Sequence, residues 1–217
     1  MVQMNIVVIG GSTPGKFGND VVRRARSQGH RVLILSHRSR PNSIDTVVAN
    51  FTSVESTVES FKQLIDQIDH IDLLLYNTSF DSWPNSPEHF QTGAVISEKL
   101  YVHGIKVHVI IPHAIVLEAM NYMNDGSRIV FMATDIAYCK HREKYIDRVG
   151  YVGGKSYQHQ LMLALAEFNN KNITVSSISP FFNYNDTVGY NTVFEKAYGY
   201  LLTHDKESNG LVFDCWD

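Results

Sequence analysis

Cysteine is scarce in this chain of 217 residues: there are two, Cys139 and Cys215, far apart and without metal-ligand spacing. A disulfide framework and a metal cluster are therefore not expected, and such sparse thiols fit a reducing compartment. An excess of one charge is lacking as well, since 19 Lys and Arg face 22 Asp and Glu, for a formal net charge of −3. That balance gives no general attraction to nucleic acid, and no such partner is expected. The first apolar stretch, Ile6 to Ile9, has neither a basic flank nor a long apolar core. Neither a secretory signal nor a membrane partner is expected, and the expected location is cytoplasmic. Internal repeats, low-complexity tracts and linkers are also missing, so residues 1–217 read as one domain.

What is present is alternation. Met4 to Ile9 is a short β-branched run that ends in Gly10-Gly11, the pattern of a buried strand feeding a glycine turn. A helix follows over Asn19 to Gln28, stopped by Gly29, and a second apolar strand runs from Arg31 to Ser36. Strands are then expected at Thr46 to Ala49, Ile71 to Tyr76, Arg128 to Ala133, Ile173 to Ile178 and Leu211 to Phe213. Helices are expected at Ser53 to Ile68, Glu88 to Met123, Tyr151 to Phe168 and Asn191 to Leu202. The Glu88 to Met123 helix is expected to break near Gly93 and to kink or break at Pro112. Seven strands apolar on both faces, separated by helices, predict a doubly wound α/β fold with a parallel sheet. Ligands of such folds bind beyond the carboxyl ends of the strands.

Two stretches on that edge carry chemistry. Gly11, Gly15 and Gly18 lie between the first strand and the first helix, where glycines let backbone N–H groups approach a pyrophosphate. At the end of the second strand the chain reads Ser36-His37-Arg38-Ser39-Arg40, with no acidic residue before Asp45. A basic residue there suits a 2′-phosphate, which favours NADP(H) over NAD(H). The second stretch is Tyr151-Val-Gly-Gly-Lys155, whose Tyr and Lys share one helical face. An ammonium beside a phenol favours the phenolate, a group suited to proton exchange with a carbonyl or alcohol. Such a pair arises easily by chance, so its place in the chain decides its meaning.

In that place the chain resembles the short-chain dehydrogenase/reductase family, whose fold is a three-layer sandwich of Rossmann type. Gly10-Gly11-Ser-Thr-Pro-Gly15-Lys-Phe-Gly18 resembles the family's T-G-x-x-x-G-x-G loop with one extra residue. Asn50-Phe-Thr-Ser53 is similar to its D-V-T-D segment, and Tyr76-Asn-Thr-Ser79 stands where the family has N-N-A-G. Ser127 to Thr134 resembles G-R-I-V-N-I-S-S, and Val175 to Pro180 resembles V-N-A-V-S-P. The likeness runs the length of the chain in order.

The resemblance implies that Tyr151 gives a proton to a carbonyl oxygen, that Lys155 lowers its pKa and binds the nicotinamide ribose, and that Thr134 hydrogen bonds the same oxygen. It implies cofactor contacts from Gly11, Ser12, Thr13, Gly15, Phe17 and Gly18, and from His37, Arg38, Asn50 and Phe51. Asn77, Thr78, Pro180 and Phe182 complete that set together with Tyr151 and Lys155. It implies NADP(H) as preferred cofactor, with NAD(H) possible, a small carbonyl or alcohol substrate, and a homodimer or homotetramer. Arg148 occupies the position of the related enoyl reductases' tyrosine, so carbonyl/alcohol chemistry fits better. The chain departs from the family pattern too. Counting from Ser79, the family's helix Asn falls at Tyr101, with His103 read either as its substitute or, more readily, as a structurally neutral histidine, and Phe181 follows Pro180 where the family has Gly. Trp83, Phe181, Phe182, Tyr184 and Tyr190 are expected to line an apolar pocket. The basic connection Lys140 to Lys144 reads as a solvated loop or as a greeting for an anionic substrate. These departures leave two rival readings open: a catalytically weak or inactive dinucleotide-binding sensor, and an interaction module that binds no nucleotide.

Overall fold

Strands that are apolar on both faces are satisfied only between two layers. The computed structural model describes residues 2–37, 45–78, 98–133, 149–180, 187–203 and 206–215. In chain order it contains β1 (Asn5–Ile9), α1 (Phe17–Ser27), β2 (Arg31–Ser36), β3 (Thr46–Val48), α2 (Val54–Ile65), β4 (Ile71–Tyr76) and α3 (Glu98–Ile105). A π-helical turn, Lys106–Ile110, joins α3 to α4 (Ile111–Met120). Then come β5 (Met123–Met132), α5 (Val149–Phe168), β6 (Thr174–Ser179), α6 (Thr187–Leu202) and β7 (Val212–Asp214).

Among the described residues the strands form one parallel seven-stranded sheet in the order β3-β2-β1-β4-β5-β6-β7. The doubly wound architecture read from the sequence is the one that forms. In β1, Val7 and Ile9 enter one core and Ile6 and Val8 the other. In β4, Leu74 and Tyr76 are set against Leu73 and Leu75 in the same way. α2, α4 and α5 cover the first face through Phe61, Leu64, Ile115, Val116 and Met162. α1 and α6 cover the second through Val21, Val22, Phe194 and Leu201. Because β2 and β4 flank β1 on opposite sides, the crossovers leave a crevice at the carboxyl end of β1.

Local chemistry sets the helix ends. Ser53 caps α2, its Oγ accepting from Ser56 N at 3.2 Å. Gly29, at φ +86°, turns the chain after α1. The guanidinium of buried Arg128 donates to the carbonyls of Tyr200 and Leu201 at the end of α6, where a cation meets the negative pole of the helix. α1 begins at Phe17 rather than Asn19, and α6 at Thr187 rather than Asn191.

Of the kink or break expected at Pro112, the break does not occur, and the irregularity falls just before the proline. The helix runs on from Glu98 to Met120, and the π-helical turn just before Pro112 absorbs the proline. Ile111 N donates to Lys106 O, five residues back. Pro112 has no N–H, so Val107 C=O lacks its partner in the π register and His108 C=O lacks its partner in the α register. Side chains make up the loss: Tyr76 Oη donates to Val107 O at 3.0 Å and Gln158 Nε2 to His108 O at 3.1 Å. This helix is long and apolar enough to cross a membrane, yet Val107, Ile111, Ile115, Val116 and Ala119 sit in the core of the domain. The expected break near Gly93 lies outside the described residues.

Candidate functional site

The carboxyl edge gathers most of the residues expected there. Gly10 follows β1 with φ +90°, and its N–H donates to Leu35 O at 2.8 Å. A Cβ at Gly10 would lie 2.7 Å from Thr78 Oγ1, so the positive φ and the close approach both require glycine. Gly11 packs helix against strand, since a Cβ there would lie 2.9 Å from Val8 Cγ1 and 3.0 Å from Val22 Cγ2. At Gly18 a Cβ would overlap Asn77 Nδ2, which is held in place by donating to Gly10 O at 3.1 Å. Gly15, at φ +67°, forms the open tip, with nothing within 4 Å of an added Cβ. At Gly10, Gly11 and Gly18 the loop therefore has no room for a side chain.

Ser12 is buried and its hydroxyl meets that of Ser36, joining the glycine loop to the end of β2. Thr13 is half-buried beside it. Phe17 is 2% exposed and stands edge-on to Phe194, with centroids 5.8 Å apart, so its ring belongs to the core. His37 and Phe51 meet edge to face at 6.5 Å and form one wall beyond β2 and β3. Asn50 Oδ1 accepts from Thr52 N at 3.1 Å and Thr52 Oγ1 at 2.6 Å, so the acceptor is spent on a local turn. Arg38, Thr134 and Phe182 lie outside the described residues, as do Trp83, Phe181, Tyr184, Arg148 and the basic connection Lys140 to Lys144. Pro180 stands half-buried at the end of β6.

Tyr151 and Lys155 are brought to this edge by the first turns of α5. Lys155 is 1% exposed, an unusual burial for a lysine unless its ammonium is bonded. Its Nζ donates to Met132 O at 2.7 Å, at the end of β5, and to Gln158 Oε1 at 3.1 Å. His108, fully buried, presents its ring edge to face with Tyr151 at 5.9 Å. Tyr101 is the counted position of the helix Asn, and His103 is the histidine read as its substitute or as structurally neutral. Tyr101 is exposed at 41%, His103 lies on α3, and His108 is the histidine against the tyrosine. The count from Ser79 to Tyr101 runs through residues 79–97, which lie outside the described residues, and among the described residues His108 is the histidine whose ring meets Tyr151. The one sequence signal for it was the proline four residues after His108.

Tyr190 stands half-buried against α1. Its hydroxyl donates to Asp20 at 2.6 Å and its ring stacks on Phe194 at 6.2 Å, because α6 starts early enough to carry it onto α1. Among the described residues no group of three or more His, Cys, Asp or Glu is placed to hold a metal. Burial pushes the Cys215 thiol up to about 12.

A dinucleotide fits this edge on three observations. The N-cap residue of α1, Lys16, supplies no side-chain cap to a helix end that carries positive potential. The glycine loop leaves backbone in place of side chains before that end. Thr78 Oγ1 is buried beside Gly10 with no hydrogen-bond partner among the described residues.

No family model matches the chain, and no curated protein is similar to it in sequence. Solved structures match it over nearly its whole length. A putative short-chain dehydrogenase from Escherichia coli CFT073 superposes with a TM-score of 0.79 at 13% identity, covering 99% of this chain and 96% of that one. A short-chain dehydrogenase/reductase from Serratia marcescens BCRC 10948 gives 0.74 at 19% identity, over 97% and 94%. Aldohexose dehydrogenase of Thermoplasma acidophilum gives 0.74 at 15% identity, over 98% and 92%. The fold is thus that of short-chain dehydrogenases/reductases, at low sequence identity.

Proposed function

We propose that this chain is an NADP(H)-dependent oxidoreductase that transfers a hydride to or from a small carbonyl or alcohol. The observation that carries the reading is Lys155, a buried ammonium held by Met132 O and Gln158 at the strand edge, one helical turn from Tyr151 and on the edge that holds the glycine loop.

Gly11, Gly15 and Gly18 would hold the pyrophosphate on backbone at the start of α1, with Ser12 and Thr13 beside it. His37 and Arg38 would meet the 2′-phosphate, and Asn50 and Phe51 the adenine side. Asn77, Thr78, Pro180 and Phe182 would bound the nicotinamide side, where Lys155 also holds the ribose. When bound, NADPH supplies a hydride that adds to the carbonyl carbon. Tyr151 gives its phenolic proton to the oxygen as the C=O π bond breaks, and Thr134 hydrogen bonds that oxygen. The alcohol leaves, and solvent restores the proton to Tyr151. Lys155 keeps positive charge next to the phenol and favours its ionised form.

Absorbance of NADPH followed across a panel of small ketones, aldehydes and aldohexoses tests this reading. Consumption with at least one of them is expected, and activity that survives Tyr151→Phe unchanged would overturn the mechanism. Tight binding of NADPH with no turnover across the panel would mark a dinucleotide sensor instead. A homodimer or homotetramer belongs to the same proposal, supported by exposed Leu100, Ile105, Ile110 and Leu117 on the α3–α4 segment. Light scattering at the mass of a monomer would refute it.

A further inference from the structure

We infer that Gln158 is the positioning residue for Lys155, tying its ammonium to the backbone opened by Pro112. The inference rests on the proposed dinucleotide chemistry for its purpose, and on the geometry alone for its existence.

Gln158 is 1% exposed, and an amide buried to that degree is costly unless both of its ends are bonded. Both are. Its oxygen accepts from Lys155 Nζ at 3.1 Å and its nitrogen donates to His108 O at 3.1 Å. Lys155 offers only donors and His108 O only accepts, so one orientation of the amide serves both. His108 O has this capacity to spare because its α-helical partner would be the N–H of residue 112, a proline. Lys155 and Gln158 sit three residues apart on α5, with side chains on one face. The chain of contacts thus reads Met132 O, Lys155, Gln158, His108 O, from the end of β5 to the π-helical turn.

The arrangement does two things for a lysine. It gives the ammonium a second carbonyl-type acceptor, which offsets the cost of burying charge. It also fixes the direction of a side chain that otherwise has four rotatable bonds. A hydrocarbon at position 158 would fill the space and do neither.

The test uses the whole chain and two readouts. The first is NADPH affinity, followed by fluorescence for wild type, Gln158→Met, Lys155→Met and the double variant. Gln158→Met is expected to weaken binding about tenfold, the value of one hydrogen bond to a charged group. In the Lys155→Met background the same change is expected to have no further effect. Equal losses in both backgrounds, or no loss in either, would overturn the inference. The second readout needs no cofactor: the 1H–15N signal of the Lys155 ammonium, assigned by its absence in Lys155→Met. It is expected to vanish by faster exchange in Gln158→Met and to persist in Gln158→Glu, which keeps the acceptor. An unchanged signal in Gln158→Met, or its loss in Gln158→Glu, would overturn the inference. Should Gln158→Met fail to fold, Gln158→Glu alone decides by retention or loss of that signal. A wild-type chain that binds neither NADPH nor NADH sinks the proposed function, whereas the ammonium signal still judges Gln158.

Discussion

The two ends of the site are built by different means. At the glycine loop the chain removes side chains, and position follows from what cannot fit: Gly18 against Asn77, Gly10 against Thr78, Gly11 against Val8 and Val22. At Lys155 the chain adds side chains, and position follows from a relay of hydrogen bonds through Gln158 to His108 O. Steric exclusion is strict and local. A relay depends on residues from α5, β5 and the π-helical turn, so it can be altered one member at a time. The difference teaches where change is tolerated: the loop resists added atoms at Gly10, Gly11 and Gly18, whereas the lysine's support can be changed one member at a time.

Breaking the chemical end has the largest expected effect. Tyr151→Phe should lower turnover by about 10²- to 10⁴-fold, the range for a lost general acid, while leaving NADPH affinity nearly unchanged. Steady-state rates and a binding titration check both halves of that statement. At the loop, Gly18→Ala should destabilise by about 1–3 kcal/mol through overpacking, because Asn77 is anchored to Gly10 O and cannot turn aside. Gly15→Ala has space but an unfavourable φ, and should cost about 1–2 kcal/mol. Urea unfolding of the pair would contradict the steric account if Gly15→Ala proved the more harmful.

Tyr76→Phe sharpens the comparison from the relay side. It leaves Val107 O buried and without its donor, for a cost of about 1–3 kcal/mol. Burial holds the Tyr76 phenol well above its ordinary pKa, so this hydroxyl stays a donor at any physiological pH. A melting temperature equal to that of wild type would show that another group serves the carbonyl. The smallest effect expected is with pH. Burial lowers the pKa of His159, and burial followed by repulsion from Lys106 lowers that of His103, both from an ordinary 6.5. The unfolded chain then binds more protons than the folded one near that pH, so stability is present above 6.5 and declines as pH falls below it. Denaturant midpoints at pH 7.5 and 5.5 should differ in that direction, and His159→Gln should narrow the gap.

The fold was legible because its signals are repeated: most strands carry a short apolar run, and β2 and β4 were delimited to the residue, whereas β5 starts at Met123 rather than Arg128 through a polar stretch. The loop was legible because glycine has few other uses at a strand-to-helix turn. The support of Lys155 was not. Nothing in the local pattern of His108 or Gln158 marks them, since their meaning comes from a proline that reads as a helix breaker and acts instead by freeing carbonyls. Tyr190 is a related case. Aromatic residues near a sheet edge suit a pocket wall and a helix interface equally well, and the contact of Tyr190 with α1 follows from the start of α6 at Thr187.

The π-helical turn has one more consequence. One extra residue in a helix advances everything before it by about 100° around the axis relative to everything after. Lys106–Ile110 therefore acts as a phase shifter between α3 and α4. Removing a single residue there would turn Leu100 and Ile105 away from the surface they now share with solvent, while Ile111, Ile115 and Val116 stayed in the core. The face that α3 offers to the outside is thus set by the same turn whose His108 carbonyl meets Gln158.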